Sequence, residues 1–269
     1  MLTVGSLFSG IGGLDLGLER AGMSIRWHSE IDPYACKILK KHWPEVPNHG
    51  DIKQIDWRTV EPVDVICGGY PCQPFSTAGK RRGTDDPRHL WPWVRDAISA
   101  LRPRYAILEN VRGHLSMGGV TVIGELAEIG YDAEWRVVSA AGLGAPHRRE
   151  RIIIVAYPTQ LFSNGGDNHA SIGLGSETLS QFGNCGGSPN VAYADNCGHV
   201  YASKAQQSDI GRRCATSGRQ QWETEPSVGR VADGVSHRVD RLRGLGNAVV
   251  PQVAEYIGRL VMAAELDNA

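Results

Sequence analysis

The sequence predicts an α/β protein in which a mostly parallel sheet carries helices on both faces. Short apolar runs, of the length of buried strands, alternate with longer segments whose apolar residues recur at helical spacing. Polar or glycine-rich turns follow several of these runs, at the strand ends where open α/β sheets place their functional residues. The 269 residues allow one large domain, with or without a small appendage.

The composition narrows the class of protein. With 41% hydrophobic and 21% charged residues, the chain resembles an ordinary globular protein and has no apolar stretch that would cross a bilayer. Its N-terminus lacks the features of a signal peptide, so we expect a cytoplasmic protein. The net charge of -1 restricts nucleic-acid binding to a local basic face. Cys185, Cys197, His199 and Cys214 match no metal-site spacing, and we expect no metal.

The first predicted strand, residues 2–8, runs into a glycine-rich turn at residues 9–13, and a helix follows up to Gly22. Glycines at this point let a ligand approach the backbone beside the helix N-terminus, although a tight turn alone would also explain them. The turn is not GxGxxG, which disfavours a dinucleotide-dependent oxidoreductase.

Two acids follow the next segments. Glu30 comes after the second predicted strand, residues 25–28, where a carboxylate can accept hydrogen bonds from both ribose hydroxyls of a nucleoside. Asp51 follows a predicted helix and could accept from an adenine amino group, or it could cap a helix.

A cysteine follows the third apolar run, residues 63–67. Pro71 and Pro74 flank Cys72 and restrict the backbone around its thiol, so Cys72 is either a positioned nucleophile or a buried cysteine in a simple turn. The basic residues after it, Lys80, Arg81, Arg82 and Arg88, either contact phosphate or form a solvated loop.

Glu109 follows the next predicted strand, residues 105–108, at the same sheet edge as Cys72. Before a later strand, residues 152–156, the alternating positions of Arg149 and Arg151 point to one side. There the guanidinium groups could orient the carboxylate or bind phosphate. Finally, residues 242–252 are predicted to open a C-terminal helix with a proline in its first turn.

Taken in order, these segments strongly resemble the DNA cytosine-5 methyltransferases, through residues 1 to about 157 and again from about 238 to 262. The resemblance implies a Rossmann-like, S-adenosylmethionine-dependent methyltransferase fold. It implies a catalytic and cofactor-binding domain at residues 1–157, a short, irregular target-recognition region at 158–237, and a C-terminal segment at 238–269 that returns to the catalytic domain. The recognition region, rich in glycine and serine, could equally be of low complexity.

The resemblance also assigns roles to individual residues. Cys72 is the nucleophile and Glu109 the carboxyl, with Arg149 and Arg151 beside them; His147 stands where the family has glutamine. The cofactor-binding residues are Phe8, Gly10, Ile11, Gly13, Glu30, Ile31, Asp51, Ile52, Pro71, Asn247 and Val249. The DNA-contacting residues are Gln73, Ser76, Lys80, Arg81, Arg82 and Arg88.

The implied chemistry explains why these residue types occur. Carbon 5 of cytosine is a poor nucleophile, so the thiolate adds to carbon 6 while Glu109 stabilises charge at ring nitrogen 3. The base must leave the duplex for this reaction. The implied partners are double-stranded DNA and, where one exists, a cognate restriction endonuclease in the same bacterial or phage-infected cell, and the implied state is a monomer. Methylation of transfer RNA and a catalytically silent binding module are the alternatives.

Overall fold

The computed structural model describes residues 1–71, 90–116, 118–159, 172, 174 and 238–267. In these ranges six strands form one sheet in the order β2-β1-β3-β4-β6-β5. The strands are β1 (Thr3–Leu7), β2 (Ser24–Ser29), β3 (Val65–Gly68), β4 (Tyr105–Val111), β5 (Tyr131–Ser139) and β6 (Glu150–Pro158). The helices are α1 (Gly13–Arg20), α2 (Pro33–His42), α3 (Trp91–Leu101), α4 (Gly119–Glu128), α5 (Arg238–Asn247) and α6 (Pro251–Asp267).

The predicted fold class is confirmed. Strands β2, β1, β3 and β4 are parallel, whereas β6 runs antiparallel to both β4 and β5. All four residues of β3 are buried, because the strand lies between β1 and β4 with helices on both faces.

Each face of the sheet has its own apolar core. Leu14 and Leu18 of α1 and Ile257 of α6 belong to the core on one face, and Val94 of α3 and Leu126 of α4 belong to the other. This arrangement leaves the carboxyl ends of the parallel strands uncovered, and that edge holds the site described below.

Two elements differ from the predicted ones. Strand β4 continues three residues beyond Leu108, because antiparallel pairing with β6 extends to Val111. The predicted single C-terminal helix is two helices, since α5 ends at Asn247 and α6 begins at Pro251. Proline disfavours helical backbone in the residue before it, which places the break just ahead of Pro251.

No helix within the described ranges is long and apolar enough to cross a membrane. The same ranges contain no group of three or more His, Cys, Asp or Glu side chains that could hold a metal ion. Cys185, Cys197, His199 and Cys214 lie outside the described residues.

Candidate active site

A cavity of about 520 Å³ opens at the carboxyl edge of the parallel strands. All eleven residues predicted to bind a cofactor line it: Phe8, Gly10, Ile11, Gly13, Glu30, Ile31, Asp51, Ile52, Pro71, Asn247 and Val249. They come from the turn after β1, the residues after β2, the turn at residues 50–52, the end of β3 and the junction of α5 with α6. Glu109 and Arg151 line the same cavity, so the predicted cofactor residues and part of the predicted catalytic set share one space.

The turn between β1 and α1 depends on left-handed backbone. Gly10 and Gly12 have φ of 54° and 83°, and Phe8 also has a positive φ of 52°. At position 13 a glycine is needed for space, because a Cβ there would lie 2.4 Å from the carbonyl oxygen of Val249. The turn therefore brings the C-terminal segment against the start of α1.

Glu30 holds this turn in place. Its Oε2 accepts a hydrogen bond of 2.7 Å from the backbone N–H of Gly10, and its Oε1 accepts from the N–H groups of Ile31 and Asp32 at 2.8 and 2.7 Å. Hydrogen bonds to a carboxylate are stronger than those between neutral groups. The sequence predicted ribose contacts for Glu30 and missed this link to the turn.

Of the two roles that the sequence left open for Asp51, the structure shows the helix cap, and the adenine contact stays a prediction. Its side chain accepts from the N–H of Lys53 at 3.0 Å and caps a short 3-10 helix, Ile52–Gln54, while the residue also lines the cavity. Nearby, Ile31 is 68% exposed and Ile52 only 4%. The two isoleucines give this part of the cavity an apolar lining with one exposed side.

Glu109 lies near the end of β4 and is 8% exposed. Its Oε1 is 2.7 Å from Nε of Arg151, and a Cβ on Gly69 would lie 2.8 Å from its Oε2. Burial raises the pKa of Glu109, although the charges of Arg151 and Arg149 oppose that rise. The result is a carboxyl that favours its protonated form more than an exposed glutamate does.

The two arginines have different partners. Arg151 forms the ion pair with Glu109. Nη2 of Arg149 instead donates to the carbonyl oxygens of Gly246 and Ala248, each at 2.7 Å. The alternating positions of Arg149 and Arg151 in the sequence did not predict that the two side chains have different partners.

A buried contact that the sequence did not predict involves Tyr70, two residues before Cys72. The hydroxyl of Tyr70 is 2.7 Å from Nε2 of His114, and Nδ2 of Asn110 donates to the carbonyl oxygen of Tyr70 at 3.2 Å. The Tyr70 ring also packs against Trp91, with centroids 5.4 Å apart. Residues on both sides of positions 72–89 are therefore in contact.

Several predicted site residues are not described. Cys72, Gln73, Ser76, Lys80, Arg81, Arg82 and Arg88 lie outside the described residues. Pro71 and Leu90, the described residues that border this range, both line the cavity. His147, at the position of the family glutamine, is exposed.

The fold and cavity define an α/β protein with a candidate ligand site at the carboxyl edge of its sheet, and comparison with known families specifies it further. The chain belongs to the C-5 cytosine-specific DNA methylase family, whose model matches residues 2–184. It is 41% identical over 167 residues to the type II methyltransferase M.Eco47II of Escherichia coli, covering 59% of this chain. It is 40% identical over 166 residues to M.NaeI of Lentzea aerocolonigenes, covering 58% of this chain. The chain spans 40% of the length of each relative.

Solved structures agree on the fold. A candidate DNA modification methyltransferase from a prophage of E. coli matches with a TM-score of 0.52 and 29% identity, over 62% of this chain and 49% of that one. A mutant of DNMT2 from Spodoptera frugiperda matches with a TM-score of 0.52 and 24% identity, over 62% and 54% of the two chains, which shows a common fold.

Proposed function

We propose that this protein is an S-adenosylmethionine-dependent DNA (cytosine-5-)-methyltransferase. The observation that carries the proposal is the convergence of all eleven predicted cofactor residues on one cavity that also contains Glu109 and Arg151. Family membership and type II methyltransferase relatives support the reaction. We also propose duplex DNA as the substrate, a monomer as the acting form and a restriction-modification system as the setting.

The cavity fits the proposed cofactor in size and chemistry. Its volume of about 520 Å³ lies in the range of small-molecule sites. Glu30 and Asp51 offer carboxylate acceptors for hydroxyl and amino groups, and Ile31 and Ile52 offer apolar surface for a flat ring. When bound, S-adenosylmethionine supplies an electrophilic methyl group. The turn after β1 and the segment around Asn247 would hold the cofactor from opposite sides.

Glu109 is proposed to hold a proton at ring nitrogen 3 of cytosine. Its burial favours the protonated carboxyl that this hydrogen bond requires, and Arg151, whose Nε lies 2.7 Å from Oε1, fixes the direction of the side chain. Arg151 also keeps a positive charge where electron density accumulates on the ring, which lowers the energy of the charged species.

Cys72 is proposed to add as a thiolate to carbon 6 of the flipped base, which makes carbon 5 nucleophilic. Once carbon 5 has taken the methyl group, removal of its proton would re-form the double bond between carbons 5 and 6 and expel the Cys72 thiolate, which restores the enzyme. Support for this role comes from Pro71, which precedes Cys72 and lines the cavity with Glu109.

The test is transfer of a labelled methyl group to unmethylated duplex DNA, with transfer RNA in parallel and sequencing of the modified cytosines. We expect label at carbon 5 of cytosine in DNA. We expect Cys72→Ser to abolish transfer and to retain DNA binding, while Cys67→Ala retains activity. Cys67 is the matched control because its thiol is fully buried in β3, outside the cavity lining. Label confined to RNA would mean that the substrate is RNA rather than DNA. Turnover by Cys72→Ser would exclude the covalent role of Cys72.

A further inference from the structure

Arg149 joins two distant parts of the chain at the wall of the cavity. It lies just before β6 and 97 residues ahead of Gly246, yet its Nη2 donates to the carbonyl oxygens of Gly246 and Ala248 at 2.7 Å each. These two carbonyls flank Asn247, which lines the cavity. One guanidinium group therefore holds the backbone on both sides of a predicted cofactor residue.

The position of these carbonyls explains why a cation binds them. Gly246 lies in the last turn of α5, where carbonyls have no partner within the helix and carry its negative dipole, and Ala248 directly follows the helix. The half-buried Arg149 supplies a hydrogen-bond donor for the unpaired carbonyl and a positive charge beside the negative end of the helix dipole.

The same segment is also in contact with the turn after β1. A Cβ at position 13 would lie 2.4 Å from the carbonyl oxygen of Val249, and one at Gly244 would lie 3.0 Å from Ile11. The segment at residues 244–249 is thus held by contacts with both Arg149 and the glycine-rich turn.

We infer that Arg149 is a positioning residue for the cofactor wall, by which we mean the segment 244–249 that lines the cavity. Arg151 instead forms the ion pair with Glu109. Because the two arginines are two residues apart, the start of β6 connects the carboxyl of the proposed chemistry with the segment that carries Asn247 and Val249. The identity of the ligand rests on the proposed function, but the contact between Arg149 and the segment does not.

The test compares Arg149→Met with Arg148→Met. Methionine keeps much of the aliphatic stem of arginine and removes its donors and charge, and Arg148 is the exposed neighbour of Arg149. Two measurements are made on each variant: hydrogen exchange of peptides covering residues 244–250 without ligand, and the Kd of S-adenosylhomocysteine by calorimetry. Initial rates of methyl transfer then give kcat and the KM for S-adenosylmethionine.

In Arg149→Met we expect faster exchange at residues 244–250 and a Kd and KM raised about tenfold or more, since two charge-assisted hydrogen bonds are lost. We expect kcat at saturating cofactor to change by less than about threefold, because Arg151 and Glu109 remain paired. Arg148→Met should match the wild type. If Arg149→Met does not fold, Arg149→Lys replaces it, with smaller changes in the same direction.

Two results would overturn the inference. Wild-type exchange in Arg149→Met would show that the arginine does not hold the segment. Faster exchange with an unchanged Kd would show that the segment it holds is not the cofactor wall. Failure of the wild-type protein to bind S-adenosylhomocysteine would instead count against the proposed function, while the exchange measurement would still decide whether Arg149 holds the segment.

Discussion

Arg151 and Glu109 meet across the antiparallel junction of β4 and β6. Glu109 is opposite Ile153 and Arg151 is opposite Val111, so their side chains are diagonal neighbours on one face of the sheet, with Nε and Oε1 2.7 Å apart. A parallel sheet continued past β4 would not produce this register. Strand β6, which runs antiparallel to β4 and β5, therefore supplies the cation for the buried carboxyl.

The first prediction concerns the pH dependence set by this pair. Removing Arg151 takes away a positive charge that lowers the pKa of Glu109, so Arg151→Met should raise that pKa above its value in the wild type. If protonated Glu109 is the active form, the decline of kcat at alkaline pH should move to higher pH. The maximal rate should fall about 100-fold, since the carboxyl also loses its orientation.

Rates of methyl transfer across pH, measured for wild type, Arg151→Met and the exposed-site control Arg148→Met, check this prediction. An alkaline limb that stays in place or moves to lower pH in Arg151→Met would contradict the assignment of Glu109 as a proton donor.

The second prediction concerns stability in acid. Burial lowers the pKa of His114 to about 4, compared with about 6.5 in an unfolded chain. Between these values the unfolded state binds a proton that the folded state does not, so stability should decrease as pH falls from 6.5 to 4. At pH 4.5 His114 should lower the free energy of unfolding by about 2 to 3 kcal/mol relative to its value at pH 7.

His114→Gln should lose less stability than the wild type between pH 7 and pH 4.5, as measured by urea unfolding. His42→Gln, at an exposed position at the end of α2, is the control and should follow the wild type. Equal acid sensitivity in His114→Gln and wild type would show that another group dominates this pH range.

The sequence predicted the residues at strand ends well. Glu30 and Glu109 could be assigned to one edge because apolar runs locate the strands, and the carboxyl ends of parallel strands lie together. A glycine turn after the first strand also has a local signal. Each of these predictions needed only the local pattern of apolar and glycine residues and the rule that parallel strands end at the same edge of a sheet.

What the sequence could not show were contacts between segments whose distance depends on packing. Tyr70 and His114 are 44 positions apart and meet because β3 and β4 are neighbours. Arg149 and Arg151 have the same residue type and alternate along one chain, yet one binds backbone carbonyls at the end of α5 and the other a carboxylate. Strand order and the path of the C-terminal segment decide these partners.

The third prediction concerns the packing of α1 on α6. A Cβ on Gly17 would lie 2.4 Å from both Cβ of Ala254 and the carbonyl oxygen of Pro251, so Gly17→Ala must push the helices apart. We expect it to lower the free energy of unfolding by about 1 to 3 kcal/mol. Gly124→Ala is the matched control in α4, where the Cβ meets nothing within 4 Å and should raise stability by up to about 1 kcal/mol.

Urea unfolding of both variants at neutral pH measures the difference. Because α6 begins directly after the cofactor segment, Gly17→Ala should also weaken S-adenosylhomocysteine binding, which calorimetry can detect. A gain of stability in both variants alike would mean that helix propensity, rather than the α1–α6 contact, sets the result.

The fourth prediction concerns the link between Glu30 and the glycine-rich turn. In Glu30→Gln an amide oxygen can still accept from the N–H groups of Ile31 and Asp32, but the amide nitrogen is then left facing the N–H of Gly10. Two donors in contact destabilise the turn, and one charge-assisted bond is lost. We expect the free energy of unfolding to fall by about 2 kcal/mol.

The same substitution should weaken S-adenosylhomocysteine binding more than the stability loss alone explains, because Glu30 lines the cavity and is proposed to accept from the ribose. Calorimetry on Glu30→Gln and on the exposed control Glu45→Gln measures this effect. A stability loss with unchanged Kd would restrict Glu30 to holding the turn. A raised Kd at unchanged stability would instead make the ligand contact its main role, because the bond to Gly10 would then contribute little to the folded state.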